Sequence, residues 1–364
     1  MISSGDLNNP ATWDKWKSKE DNFAKCKSTK SLLIYGTPAH NTPGVSIVII
    51  TYKRAAGLKE ALESALNQNY SQPFEIVVSD DSGFDRETDD LMKQYCDKYS
   101  NILYYRHEKN IGQYANWNRA CELSRTDWYG LLHDDDKLKP HYLEKCMSAV
   151  GTAPEEVGLL GSYMKMVGET NTGANAADRR SLLDRLVDLF IKLRKEKPIY
   201  LRLEDNIKYI YMLNSAFINK KRLIEIGGLN DEYFPSSDFV MAAKMNCYYS
   251  TIFLPIVLTE KGVGENESLK QSVCDDSVRA GFYLSYELAK EMGKKPNAQK
   301  RKASIAAVIA EIGVKGYNNV DYSGVKESLG MKKIYSKKPI INLINIYSKL
   351  NWGLLLIRRT SSRR

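Results

Sequence analysis

The chain has 364 residues, of which 43% are hydrophobic and 27% charged, with a formal net charge of +9; that length buries a sizeable core in one or two domains and excludes a small cross-linked scaffold. Its six cysteines, Cys26, Cys96, Cys121, Cys146, Cys247 and Cys274, form no CxxC pair, which argues against a zinc ribbon or a dense disulfide framework and fits a reducing cytosol. The start, Met1-Ile2-Ser3-Ser4-Gly5-Asp6, lacks a basic stretch followed by an apolar one, and no apolar run reaches about eighteen residues, so neither a cleavable leader nor a membrane-spanning helix is expected.

Residues 1–43 are polar and interrupted by Pro10, Pro38 and Pro43, which predicts an extension packed on the outside or loosely ordered. Val45-Ser46-Ile47-Val48-Ile49-Ile50 is a β-branched run of the kind that makes a buried parallel strand. Leu58, Ala61, Leu62, Ala65 and Leu66 follow at helical spacing, then a second strand, Glu75-Ile76-Val77-Val78-Ser79, ends in Asp80-Asp81-Ser82-Gly83. A helix over 85–99, a short strand over 102–105, a helix over 113–125 and a strand over 128–133 complete a β-α-β-α-β-α-β alternation, a Rossmann-like α/β half.

Ligands of open parallel sheets bind beyond the carboxyl ends of the strands. Those ends carry Thr51-Tyr52, Asp80-Asp81 and Asp134-Asp135-Asp136, three polar clusters predicted to face one crevice. Three adjacent carboxylates repel one another, and the relief is protonation, a basic neighbour or a divalent cation with oxygen ligands; an acidic turn ahead of Pro140 is the plainer reading. The first strand runs into Tyr52-Lys53-Arg54-Ala55-Ala56 rather than a glycine-rich phosphate loop, which excludes a dinucleotide-dependent dehydrogenase and a P-loop enzyme.

The stretches VSIVIITYKR (45–54), EIVVSDDSG (75–83), NIGQYANWNRA (110–120), HDDD (133–136) and GGLNDEYFPSSD (227–238), in this order, resemble the family-2 inverting nucleotide-sugar glycosyltransferases with the GT-A fold. The resemblance implies a mixed, mainly parallel sheet flanked by helices, with a helical C-terminal region. It implies that Thr51, Tyr52 and Arg54 border the donor, Tyr52 against the base, and that Asp81, with Asp80 beside it, accepts hydrogen bonds from base or ribose. Asn110, Gly112 and Asn118 would lie under the sugar-nucleotide. Asp134 and Asp136, with Asp135 between them, would match the metal motif, holding Mn2+ or Mg2+ against the donor diphosphate. Asp238 would be the catalytic base, with Ser237 in place of the family's first acid and capping of the following helix as its plain alternative. Lys261 would stand in for an arginine on phosphate, whereas Arg119 reads as a surface cation and His133 as a strand-end residue.

Residues 181–193 form an amphipathic pattern that reads as a packed helix. Residues 290–364 hold 17 Lys or Arg against four acids, and Ile340, Ile341, Leu343, Ile344, Ile346, Tyr347 and Leu350 recur there at helical spacing. That pattern suits docking on the protein's own core or lying in a lipid headgroup layer. The organisation expected is an N-terminal extension (1–43), a nucleotide-sugar half (44–150), an acceptor half with the base (151–270) and a basic helical region (271–364). The function expected is metal-dependent sugar transfer to a saccharide, lipid-linked in bacterial O-antigen or capsule assembly, by a cytoplasmic enzyme peripheral on the inner face of the cell membrane. Two rivals are a sugar-phosphate nucleotidyltransferase, which needs a glycine-rich, arginine-bearing loop that TYKRAAG does not supply, and a non-catalytic nucleic-acid binder; no nucleic-acid partner is expected.

Overall fold

The computed structural model describes residues 6–7, 9–153, 156–167, 197–206, 216–262, 270–315 and 321–357. A short helix α1 (Pro10–Asp14) and strand β1 (Ser31–Tyr35) precede β2 (Val45–Thr51), all seven of whose residues are buried. Then come α2 (Ala55–Leu66), β3 (Phe74–Asp80), α3 (Arg86–Lys98), β4 (Ile102–His107), α4 (Gln113–Leu123) and β5 (Trp128–His133), each strand within about two residues of its expected bounds. The acidic segment itself continues into β6 (Asp136–Leu138), which sequence did not suggest, followed by α5 (Tyr142–Gly151), β7 (Val157–Val167), β8 (Ile199–Leu201), β9 (Phe217–Asn219) and β10 (Ser250–Gly262). The amphipathic pattern over 181–193 lies outside the described residues.

One mixed sheet runs in the order β1-β4-β3-β2-β5-β9-β7-β10-β6, with β8 on β10. Its centre, β4-β3-β2-β5, is parallel. The chain leaves β2 toward β3 and β4 on one side and returns to β5 on the other, so β2 and β5 flank the topological switch point. Leu58, Leu62, Met92 and Tyr142 pack on one face of the sheet, and Trp117, Met241 and Met245 on the other. A further cluster fills the C-terminal helices, Gln271–Glu291, Pro296–Lys315 and Lys338–Ile357. Inside it a Lys326–Glu311 ion pair at 2.7 Å is buried at both ends.

The N-terminal extension is not loose over its described part. Strand β1 pairs antiparallel with β4, and Trp13 and Trp16 are buried with Tyr233, Val240 and Leu284. Trp13 stacks on Tyr283 at 5.9 Å and lies 5.3 Å from Tyr233. The segment therefore bridges the sheet and the C-terminal helices through aromatic burial, which has no local periodicity to announce it. Of the helix Lys338–Ile357, Ile344 is buried in the C-terminal cluster while Leu343, Ile346, Tyr347 and Leu350 are exposed, so one face docks on the protein and the other is open.

Candidate functional site

At the switch point, the Thr51 hydroxyl donates to Asp134 Oδ2 at 2.8 Å and the Tyr52 N–H reaches the same oxygen at 3.3 Å. The ends of β2 and β5 are thus stitched together by one carboxylate. Arg54 lies 3.2 Å from Asp135 and 3.5 Å from Asp134, so a basic neighbour relieves part of the repulsion. Burial pushes Asp134 up to about 6, Asp135 adds to that push, and Thr51 and Arg54 oppose it. The three acids differ in access: side-chain exposure is 28% for Asp135 and 10% for Asp134, whereas Asp136 is 2% exposed, inside β6.

Asp80 and Asp81 are both buried. Asp80 accepts from the Tyr104 hydroxyl at 2.7 Å and the Ser82 N–H at 2.8 Å. Asp81 accepts from the N–H groups of Ile111 at 2.7 Å and Gly112 at 3.0 Å, and from the Asn110 amide at 2.9 Å. Burial still pushes Asp81 up to about 7, against those two backbone bonds. Gly112 takes φ +92 with open space around a would-be Cβ, so glycine is needed there for its backbone angle rather than for room. Lys53, just past β2, has φ +53 without being glycine, and its N–H donates to the Ser82 hydroxyl at 2.7 Å. A left-handed backbone at a non-glycine residue stores strain; nothing in the sequence singled it out. The Tyr52 ring, 49% exposed, carries the Lys53 ammonium 5.3 Å above it.

Helix α4 joins this end of the sheet to the segment bearing Asp238. The Asn118 amide donates to the Leu229 carbonyl at 2.8 Å and accepts from the Leu229 N–H at 2.9 Å, so its contacts hold the turn ahead of Asp238. The Tyr114 hydroxyl donates to the Pro235 carbonyl at 2.7 Å. Rings of Phe234, Tyr114, Trp117 and His133 follow one another at 6.2, 6.1 and 5.1 Å, a ladder from that segment to the end of β5. His133 is held neutral by burial, down to about 4.

Arg119 corrects the sequence reading. It is 9% exposed, not a surface cation, and donates to the carbonyls of Cys26 at 2.7 Å and Thr29 at 2.9 Å and to the Ser31 hydroxyl at 2.7 Å. It pins the N-terminal segment onto α4. From the other side that segment meets the turn at Gly227, where the Asn22 N–H donates to the Gly227 carbonyl at 3.1 Å and a Cβ on residue 227 would fall 2.1 Å from the Glu20 oxygen.

Asp238 sits in the first turn of the helix Ser237–Tyr248, whose N-cap is Ser236, so it is not the capping residue. It is half-buried, and Oδ1 accepts from the Phe239 N–H at 2.9 Å. Burial pushes it up to about 6, opposed by that bond and by Lys261. The same Lys261 charge acts on His133, and Lys261 sits in register with Asp136 across β10 and β6. The Lys261 charge thus acts on both Asp238 and His133.

Among the described residues no group of three or more His, Cys, Asp or Glu is arranged to hold a metal. The carboxylates at 134–136 nevertheless suit a hard ion that takes one or two protein oxygens and completes its shell from a diphosphate.

The glycosyl transferase family 2 model matches residues 46–217. An uncharacterised glycosyltransferase of Methanocaldococcus jannaschii is 30% identical over 128 residues, 35% of this chain and 43% of that one. The hyaluronan synthase of Pasteurella multocida is 26% identical over 214 residues, 54% of this chain and 22% of that one. The chain thus matches less than half the length of these curated relatives. Among solved structures, residues 1–349 of S. aureus TarS share the fold with a TM-score of 0.53 at 14% identity, covering 86% of this chain and 90% of that one. The TarS complex with UDP-GlcNAc gives 0.51 at 15% identity, over the same shares of the two chains. Mannosyltransferase PcManGT from Pyrobaculum calidifontis, in complex with GDP-Man and Mn2+, gives 0.50 at 14% identity over 95% and 92% of the two chains. Residues 46–217 thus match the glycosyltransferase family 2 domain, and the chain shares the GT-A fold of these solved structures.

Proposed function

We propose that the chain transfers a sugar from a nucleotide-sugar, UDP-linked, to a saccharide hydroxyl with inversion at the anomeric carbon, and that Asp238 is the base. The observation that carries this reading is the half-buried Asp238, raised to about 6 and sharing the Lys261 charge with the acidic end of β5. A carboxylate with that proton affinity is ionised at neutral pH yet basic enough to take a hydroxyl proton as the reaction proceeds. The acceptor oxygen attacks the anomeric carbon, the bond to the diphosphate oxygen breaks on the opposite side, and Asp238 keeps the proton.

On this reading Thr51, Tyr52, Arg54, Asp80, Asp81, Asn110 and Gly112 shape the donor end, the open ring of Tyr52 receiving the base. Asn118 serves from beneath by fixing the turn at Leu229. Asp134, Asp135 and Asp136 are the residues that would hold Mn2+ or Mg2+. When bound, such an ion neutralises the charge growing on the departing nucleoside diphosphate. The nucleotide-sugars in the TarS and mannosyltransferase complexes support the donor class.

The acceptor we favour is a lipid-linked saccharide of surface-polysaccharide assembly, reached from the inner face of the cell membrane. Its support is the exposed stripe Leu343, Ile346, Tyr347 and Leu350 beside the exposed lysines Lys332, Lys333, Lys337 and Lys338. No described helix is long and apolar enough to cross a membrane. A screen of UDP-, GDP- and dTDP-sugars with Mn2+ or Mg2+, reading nucleoside diphosphate release, tests the assignment. UDP release that depends on both metal and acceptor is expected. Full turnover in EDTA would sink the metal assignment, and release from none of the donors would sink the function.

A further inference from the structure

Lys244 is a lysine buried to 4% exposure on the base helix, two turns beyond Ser237. Among the described residues no carboxylate forms an ion pair or hydrogen bond with its ammonium. It lines a cavity of about 10 Å³ together with Lys15, Ser18, Asn22, Asn230 and Ser237, and no acidic side chain contributes to the wall. Removing an ammonium from water without a counter-charge is costly, and the ordinary remedies are a paired anion or loss of the proton. Burial lowers Lys244 to about 8, with the charge of Glu20 raising it and that of Lys19 lowering it. The charged form therefore still predominates at neutral pH, and Lys15, itself exposed, lines the same space.

The size of the cavity restricts what can answer that charge. The water-sized space beside the ammonium is about 10 Å³, room for one small particle. We propose that this cavity is a binding site for one small monovalent anion of the halide class, seated between Lys244 and the N-terminal segment. The location gives the ion a structural consequence. Trp16, Ser18 and Asn22 come from the N-terminal segment, while Asn230 and Ser237 come from the turn and helix that carry Asp238. The Ser237 hydroxyl donates to the Asn230 carbonyl at 2.6 Å and accepts from the Asn230 N–H at 2.9 Å, so the wall of the cavity is the support of the base itself. A bound halide would tie the two parts together as an internal counter-ion.

The test uses the full chain, melted in sodium bromide and in sodium gluconate at equal ionic strength, with bromide located by anomalous scattering in crystals. Gluconate is too large for the cavity, and non-specific salt effects run the other way, weakly excluded bromide being the less stabilising of the two. The expected result is a melting temperature about 2–4 °C higher in bromide, with an anomalous peak beside Lys244 Nζ. Lys244→Met, which removes the charge, and Ser237→Asp, which supplies a carboxylate from the same helix face, should each lose the bromide advantage. Equal or lower melting of the unaltered chain in bromide, no peak at Lys244, or a bromide advantage kept by both variants would overturn the proposal. Should Lys244→Met fail to fold, Ser237→Asp and the unaltered chain decide it.

Discussion

The strand-end acids and the acid of the base helix are solvated in opposite ways. Asp80, Asp81 and Asp134 each accept two or more hydrogen bonds from hydroxyl, amide or backbone donors fixed by neighbouring strands and by the start of α4. Asp238 accepts from the Phe239 N–H, with no hydroxyl or amide side chain donating to it among the described hydrogen bonds, and it stays partly exposed. A carboxylate whose lone pairs are filled by rigid donors is a positioning element; one with capacity left over can take a proton. The contrast teaches that charge alone does not mark a base, since burial raises Asp81 and Asp134 as well.

The largest expected effect breaks the contrast at its open end. Asp238→Asn keeps the shape and the Phe239 contact but cannot accept a proton, so the transfer rate should fall by about 10²–10⁴, with donor affinity unchanged by calorimetry. Full transfer activity would move the base elsewhere. In the unaltered chain kcat/KM should drop as pH falls through about 6, the position to which burial raises this group. A limb that persists in Asp238→Asn would assign the titration to another residue.

Next comes the framework between the two poles. Asn118→Leu strands both the N–H and the carbonyl of Leu229 in a buried turn, a loss of about 2–3 kcal/mol in stability. If the turn serves the base more than the donor, kcat should fall further than donor affinity. Equal losses in both would make Asn118 a donor-side residue, as its place in the NIGQYANWNRA stretch suggested.

The strands of the first half and the acids at their ends were legible because β-branched runs and local charge density are local signals. Asp80 and Asp81 indeed stand at the end of β3 and Asp134 at the end of β5, on either side of β2. Their partners were not legible: that Asp81 closes on Ile111 and Gly112, thirty and thirty-one residues later, depends on how β3 and α4 pack. Arg119 misled because an arginine in a polar helix looks solvent-facing, whereas its acceptors are carbonyls of a segment about ninety residues earlier. Likewise Trp13 and Trp16 sit in a proline-broken stretch with no period, so their burial follows only from the long-range assembly of the C-terminal helices. Segment 136–138 read as charge and not as strand, since three residues with one lysine carry almost no β signal.

A smaller effect sharpens the strand-end side. Asp81 binds its proton more tightly folded, at about 7, than unfolded, near 3.8. Between those values the unfolded chain ionises first, so stability is higher at pH 5 than at pH 7.5 and declines as pH rises from about 4 to about 7. In EDTA and without donor, the stability read from urea unfolding should fall over that window. Asp81→Asn, which has no proton to bind differentially, should flatten the slope. An unchanged slope in that variant would show that the backbone donors of Ile111 and Gly112 already keep Asp81 ionised.

The least effect on the fold, and the one that reaches farthest from the crevice, concerns the outer face of the helix Lys338–Ile357. Leu343 and Leu350 are 59% and 52% exposed, so Leu343→Glu with Leu350→Glu should change stability by no more than about 0.5 kcal/mol each and leave transfer to a soluble saccharide intact. Sedimentation with vesicles containing anionic lipid should nevertheless be lost, because each substitution removes apolar area and adds repulsion from the headgroups. Binding that survives the double substitution but disappears in high salt would mean that the lysines suffice and the apolar face is spectator. If neither matters, the C-terminal region is a structural buttress for the base helix, and the acceptor must be brought to the enzyme by the crevice alone.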